Sequence, residues 1–246
     1  MTETISLSHD IEVEYSKQLT QSLEKKFGIW KDTTVEIMLS SVLKKLSVAN
    51  PIIRSAATGI KFVILNVQTP FAFPGLDKTV YLSKGALAAV EYENELAFLI
   101  CTPIVMIEKR LPETRFESLV NEEESSRVIA FPIQPKITRV DFLQSGWFNV
   151  GGFFDFGTLE YMNADKEAVA IPPKARFDHR GAVSLYQRFM QEPKVSKLKA
   201  LVKFLPDIGD RFENIKEESA KILPIRDAVL KSRAMRDYKS RFKDKG

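Results

Sequence analysis

The chain has 246 residues with a formal net charge of +4 and 44% hydrophobic side chains, enough to bury a substantial core in one large domain or two small ones. With a single cysteine and two histidines, it has no internal disulfide, no paired-thiol redox motif and no cysteine-based zinc site. His9 and His179 lie far apart in sequence, so no helical turn carries two imidazoles.

In chain order, residues 8–27 place Ile11, Tyr15, Leu19, Leu23 and Phe27 at i, i+4 spacing, with Gly28 as a stop, which predicts an amphipathic helix. Residues 34–46 predict a second, with Ile37, Met38, Val42, Leu43 and Leu46 apolar. Residues 61–67 and 79–82 are short, β-branched and apolar; Pro70, Pro74 and Gly75 between them predict two strands joined by a bent connection. Helices are expected over 86–92 and from Asn94 onward. The apolar stretch 96–107 is too short for the roughly 18 apolar residues of a membrane span.

Residues 111–147 lose helical periodicity. Pro112, Pro132 and Pro135 and the acidic run 122–124 mark an irregular or hairpin-like insert, with a strand-like segment at 128–133. Further helices are expected over 156–171, stopped by Pro172 and Pro173, over 180–191 with Asp178 as cap, over 195–205 and over 211–222. Residues 225–246 carry eight basic against three acidic side chains, so this tail holds +5 and the remainder of the chain −1. It is expected to be a solvated terminal helix, with contact to phosphate or an anionic membrane surface as the alternative, and no nucleic-acid partner is expected. No secretory signal or transmembrane segment is visible, so the expected setting is cytoplasmic, or the bacterial cell envelope for a chain that has lost a leader.

Several phrases, in order, resemble the HtpX/BepA-type zinc metallopeptidases, a gluzincin-like family. Phe71-Ala72-Phe73-Pro74-Gly75 stands where the family has N-A-F-A-x-P-G-G, and Ser83-Lys84-Gly85-Ala86-Leu87 where it has T-R-G-L-L. Asn94-Glu95-Leu96-Ala97 matches E-D-E-L-A ahead of A-H-E-x-x-H. Ala164-Asp165 matches the end of E-x-x-A-D, residues 177–182 stand at Y-D-P-x-A-A, and residues 205–215 at T-H-P-x-x-x-x-R-I. The resemblance implies an α+β, mostly helical metallopeptidase-like fold with a small β-sheet, a single domain over residues 1–246, and zinc chemistry.

That chemistry requires two imidazoles one turn apart, a glutamate base and a downstream carboxylate ligand. In the register set by Glu95-Leu96-Ala97, the histidine positions hold Thr102 and Met106, the base position holds Pro103, and the third-ligand position holds Tyr161. The expectation is a degenerate member with no cofactor: a pseudopeptidase that binds a protein or peptide, an active relative among the candidates, or serves as a scaffold. The alternative is a hydrolase with relocated carboxylates such as Glu160 and Asp165. Pro103 is expected to bend or break its helix. Asp165 is expected as a buried acceptor or a surface carboxylate, His179 as exposed, and Cys101 as a buried hydrophobe. Residues 147–156, rich in Trp and Phe, are expected as core or as a ligand-contacting patch. The family adds extended substrate to a sheet edge, which the resemblance places at Thr79, Val80, Tyr81 and Leu82.

Overall fold

A computed structural model describes residues 9–119, 150–191, 206–225, 228 and 232–242. Helix α1 (His9–Phe27) ends where Gly28, at φ 73°, donates its N–H to the Glu24 carbonyl at 2.8 Å. Helix α2 (Thr33–Ala49) is capped by Asp32, whose carboxylate accepts from the Thr34 and Val35 N–H groups. A short helix, α3 (Pro51–Ala57), follows with proline in its first turn.

Strands β1 (Lys61–Leu65), β2 (Ala72–Pro74) and β3 (Thr79–Ser83) form a mixed sheet in the order β1-β3-β2. β1 runs parallel to β3 and β2 antiparallel to it. β2 and β3 form a tight hairpin in which Asp77 and Lys78 both take positive φ (50° and 52°) and Thr79 N–H donates to the Leu76 carbonyl at 3.1 Å, the geometry that matches the right-handed strand twist. The bent connection expected between two strands therefore contains a strand of its own.

β3 is the central strand and all five of its residues are buried. This corrects the placement of a peptide-binding edge at Thr79, Val80, Tyr81 and Leu82: both hydrogen-bonding edges of that strand are already taken by β1 and β2, so no added strand can pair there.

Helix α4 (Lys84–Ala89) is capped by the Ser83 hydroxyl on the Ala86 N–H at 3.0 Å. Helix α5 (Glu93–Glu108) runs through the centre of the fold, with every residue from Glu93 to Ile107 buried, as its nearly all-round apolar composition demands. Pro103 lies inside α5 without interrupting it, contrary to the expected break; neighbours on all sides hold the helix together although Pro103 gives no N–H to the ladder. Residues 111–119 are helical and are named α6, a correction to the irregular insert; the rest of that insert, 120–147, lies outside the described residues. Pro112 sits in the first turn of α6, where its missing N–H costs nothing.

One turn, α7 (Val150–Phe153), precedes α8 (Thr158–Ala170), a 3-10 turn at Pro172–Ala175, α9 (Arg180–Gln191), α10 (Ile208–Ala220) and α11 (Arg233–Ser240). The helix expected over 195–205 lies outside the described residues. α5 packs against α2, α3, α8, α9 and β2, while α10 lies across α8 and α9. The molecule is α+β and mostly helical. No helix among the described residues is long and apolar enough to cross a membrane.

The basic tail departs from the solvated helix expected of it. α11 packs on α2, Met235 and Tyr238 are buried, the Tyr238 hydroxyl donates to the Leu87 carbonyl at 2.6 Å, and the Tyr238 and Phe242 rings lie 5.1 Å apart. Burial pushes the Tyr238 phenol well above its ordinary pKa.

Candidate functional site

Two of the positions that the resemblance places at a metal centre, Thr102 and Tyr161, lie beside a buried polar pair, Asp165 and Arg211. α5 contributes Thr102, α8 contributes Tyr161 and Asp165 from one face at i, i+4 spacing, and α10 contributes Arg211. Thr102 Oγ1 donates to Asp165 Oδ1 at 2.9 Å. Arg211 closes on the same carboxylate with both prongs, Nε to Oδ2 and Nη2 to Oδ1, each at 2.7 Å. Asp165 is fully buried and Arg211 only 8% exposed.

The Arg211 guanidinium lies 5.3 Å from the Tyr161 ring centroid and 5.0 Å from that of Tyr186 on α9, so two aromatic faces flank the ion pair. Burial is the largest influence on Arg211 and pulls its pKa down, but the Asp165 carboxylate, its hydrogen bond and the neighbouring Tyr186 and Tyr161 together raise it, and the guanidinium sits above its ordinary value. Burial raises the phenols of Tyr161 and Tyr186, and both stay neutral. Tyr161 Oη donates to the Phe154 carbonyl at 3.0 Å.

Zinc does not fit these residues. Met106 offers a buried thioether, Pro103 no donor atom, Thr102 a hydroxyl already spent on Asp165, and Tyr161 a neutral phenol already spent on Phe154. The one carboxylate, Asp165, has its oxygens engaged by Arg211 and Thr102, and an incoming cation would face a guanidinium. Among the described residues no group of three or more His, Cys, Asp or Glu side chains is placed to hold a metal ion.

The relocated-carboxylate alternative fares no better geometrically. Glu160 and Asp165 are five positions apart on α8 and hence point roughly 140° apart around its axis. Glu160 folds back toward Gly157 at the helix start, whereas Asp165 is turned into the core.

His179 corrects another expectation. It is buried at 4% exposure, with Nδ1 at 2.7 Å from Ser219 Oγ across the α9–α10 junction, and its Nε2 has no hydrogen-bond partner among the described residues. Burial depresses its pKa; Asp178 opposes this and Arg180 adds to it. His9 is exposed, with Nδ1 4.0 Å from Glu12. Cys101 is buried as expected, and burial alone drives its thiol far above the ordinary range. Within the aromatic segment, residues 147–149 lie outside the described residues, while Phe153, Phe154 and Phe156 are core: Phe154 stacks on Phe73 at 4.7 Å.

Sequence reasoning missed Arg211 as the partner of Asp165. The available signal was the Pro206-to-Arg211 spacing, which matches P-x-x-x-x-R in the last family phrase. It also missed two buried carboxylates at the start of α5. Glu93 takes Lys45 Nζ at 3.1 Å and the Ser232 N–H at 3.2 Å, tying α2 and the α11 cap to α5. Glu95 takes the Ser184 hydroxyl at 2.6 Å and pairs with Arg188, tying α9 to it. Comparison with protein-family models and with curated proteins finds no match for this chain.

Proposed function

We propose that this chain is a catalytically inactive relative of the HtpX/BepA-type metallopeptidases that acts as a structural or interaction protein through its outer surface. The observation that carries this reading is the chemistry at the four working positions: the Thr102 hydroxyl is given to the buried Asp165–Arg211 ion pair, the Tyr161 phenol to the Phe154 carbonyl, and Pro103 and Met106 offer no acid–base group or imidazole. A buried carboxylate that accepts two hydrogen bonds from a guanidinium and one from a hydroxyl is held in an internal ion pair, whose roles are to join helices and to fix their register.

A retained substrate groove is the weaker form of the same reading. The strand that such a groove needs is central and buried, β2 is three residues long and ends in Pro74, and the outer edge of β1 is bridged at Leu65 by Ile29. On this reading a partner would meet helix faces and not add a strand.

Elemental analysis of purified protein, thermal unfolding with and without a chelator, and casein hydrolysis test the reading together. Expected are metal well below one equivalent, an unchanged midpoint and no cleavage. About one zinc per chain with chelator-sensitive proteolysis overturns it.

A further inference from the structure

The surface around Trp30 is built from residues that the buried Asp165 cluster does not involve. Beyond α1, the 28–30 segment is fixed against β1: the Asn66 N–H donates to the Gly28 carbonyl at 3.0 Å, the Trp30 N–H donates to the Ile64 carbonyl at 2.7 Å, and Ile29 bridges to Leu65. This rigid segment presents Phe27 and Trp30 half-buried. Trp30 packs on Phe242, just past α11, with centroids 5.3 Å apart, and Lys84 Nζ lies 5.1 Å from the Trp30 ring. Lys26 Nζ lies 5.4 Å from the Phe27 ring.

Lys26 and Lys84 lie directly beside these rings, and further cations lie on the elements that carry them, together with the exposed Glu24, Glu36 and Asp237. Lys25, Lys26 and Lys31 are exposed on α1 and the following loop, Lys84 is half-buried, and Arg233 and Arg236 are exposed on α11. None of these six makes an ion pair among the described residues, whereas the neighbouring Lys239 and Arg241 are held by Glu91 and Asp32.

We propose that this face docks on an anionic phospholipid bilayer, the Trp30, Phe27 and Phe242 rings meeting the headgroup region and the lysines and arginines reaching the phosphates. Half-buried aromatic rings rimmed by long basic side chains match the amphipathic layering of that interface. Single-stranded nucleic acid is the less suitable anion, because it needs open ring faces for base stacking, and here Trp30 is occupied by Phe242 and Lys84.

The test uses the full chain and sedimentation with vesicles of equal parts phosphatidylcholine and phosphatidylglycerol, against vesicles of phosphatidylcholine alone. Expected are salt-sensitive binding to the anionic vesicles only and, in the Trp147→Phe background, a blue shift of Trp30 emission on binding. The variant K25Q/K26Q/K31Q changes only exposed side chains and keeps the fold; each charge removed weakens partitioning about fivefold, so the triple variant loses on the order of a hundredfold. Absence of binding to anionic vesicles, equal binding by the triple variant, or binding to DNA without binding to vesicles each overturns the proposal.

Discussion

Arg211 holds Asp165 by a two-pronged ion pair, both contacts at 2.7 Å, in the interior of the protein where α8 and α10 cross. Breaking one side strands the other charge. Arg211→Met is expected to cost about 3 to 5 kcal/mol, since the buried carboxylate keeps only Thr102 as partner. The double variant D165L/R211M removes both charges and is expected to be clearly more stable than the single variant; urea unfolding of the set, with unchanged m-values, measures the coupling. Additive losses from the two sites would contradict it.

Acid sensitivity is expected from His179. Its folded pKa is depressed below the ordinary 6.5, so the unfolded chain binds the proton more tightly. The stabilising preference for neutral imidazole is fully present above pH 6.5 and is lost as pH falls through the depressed folded value. Asp178, held low by the Arg180 guanidinium, contributes stability above its ordinary 3.8 that disappears at still lower pH. Comparing unfolding free energy against pH for the protein and His179→Gln should show the upper step vanish in the variant; an identical profile would refute the assignment.

α11 is expected to be a stabilising element. Tyr238→Phe removes the hydrogen bond to Leu87 and should cost about 1 kcal/mol, whereas Tyr238→Ala, which also opens a cavity, should cost about 3 to 5 kcal/mol. Differential scanning calorimetry of both variants would expose a free tail as two unchanged midpoints.

Gly85 admits no side chain. A Cβ there would lie 1.6 Å from the Gln68 carbonyl oxygen, because the Gly85 N–H donates to the Val67 carbonyl at 2.8 Å and draws the two backbones together. Gly85→Ala is expected to lose at least about 3 kcal/mol, the upper end of ordinary overpacking, in chemical denaturation.

Writing the ligand list of the HtpX/BepA-type peptidases into this chain should not create a metal centre. The quadruple variant T102H/P103E/M106H/Y161E places new carboxylates and imidazoles in a core that still contains the Arg211 guanidinium, with no supporting hydrogen bonds arranged for them. Zinc titration followed by calorimetry is expected to show no tight binding; nanomolar zinc with peptide turnover would show that the core adapts.

Sequence alone determined the elements whose signal is local. The i, i+4 pattern through Tyr15, Leu19 and Leu23 with Gly28 behind it gave α1, the Asp178 start gave α9 over residues 180–191, and the apolar run around Cys101 gave the buried α5. Tertiary structure decided everything that depends on who packs beside whom. Strand order put Thr79–Leu82 in the centre of the sheet, where periodicity cannot distinguish a central strand from an edge. Pro103 stayed within a continuous helix because packing on every side overrides a local penalty of about 3 kcal/mol. Asp165 found Arg211, 46 positions away, and Tyr238 found Leu87, 151 positions away, through chain crossings that no local pattern encodes.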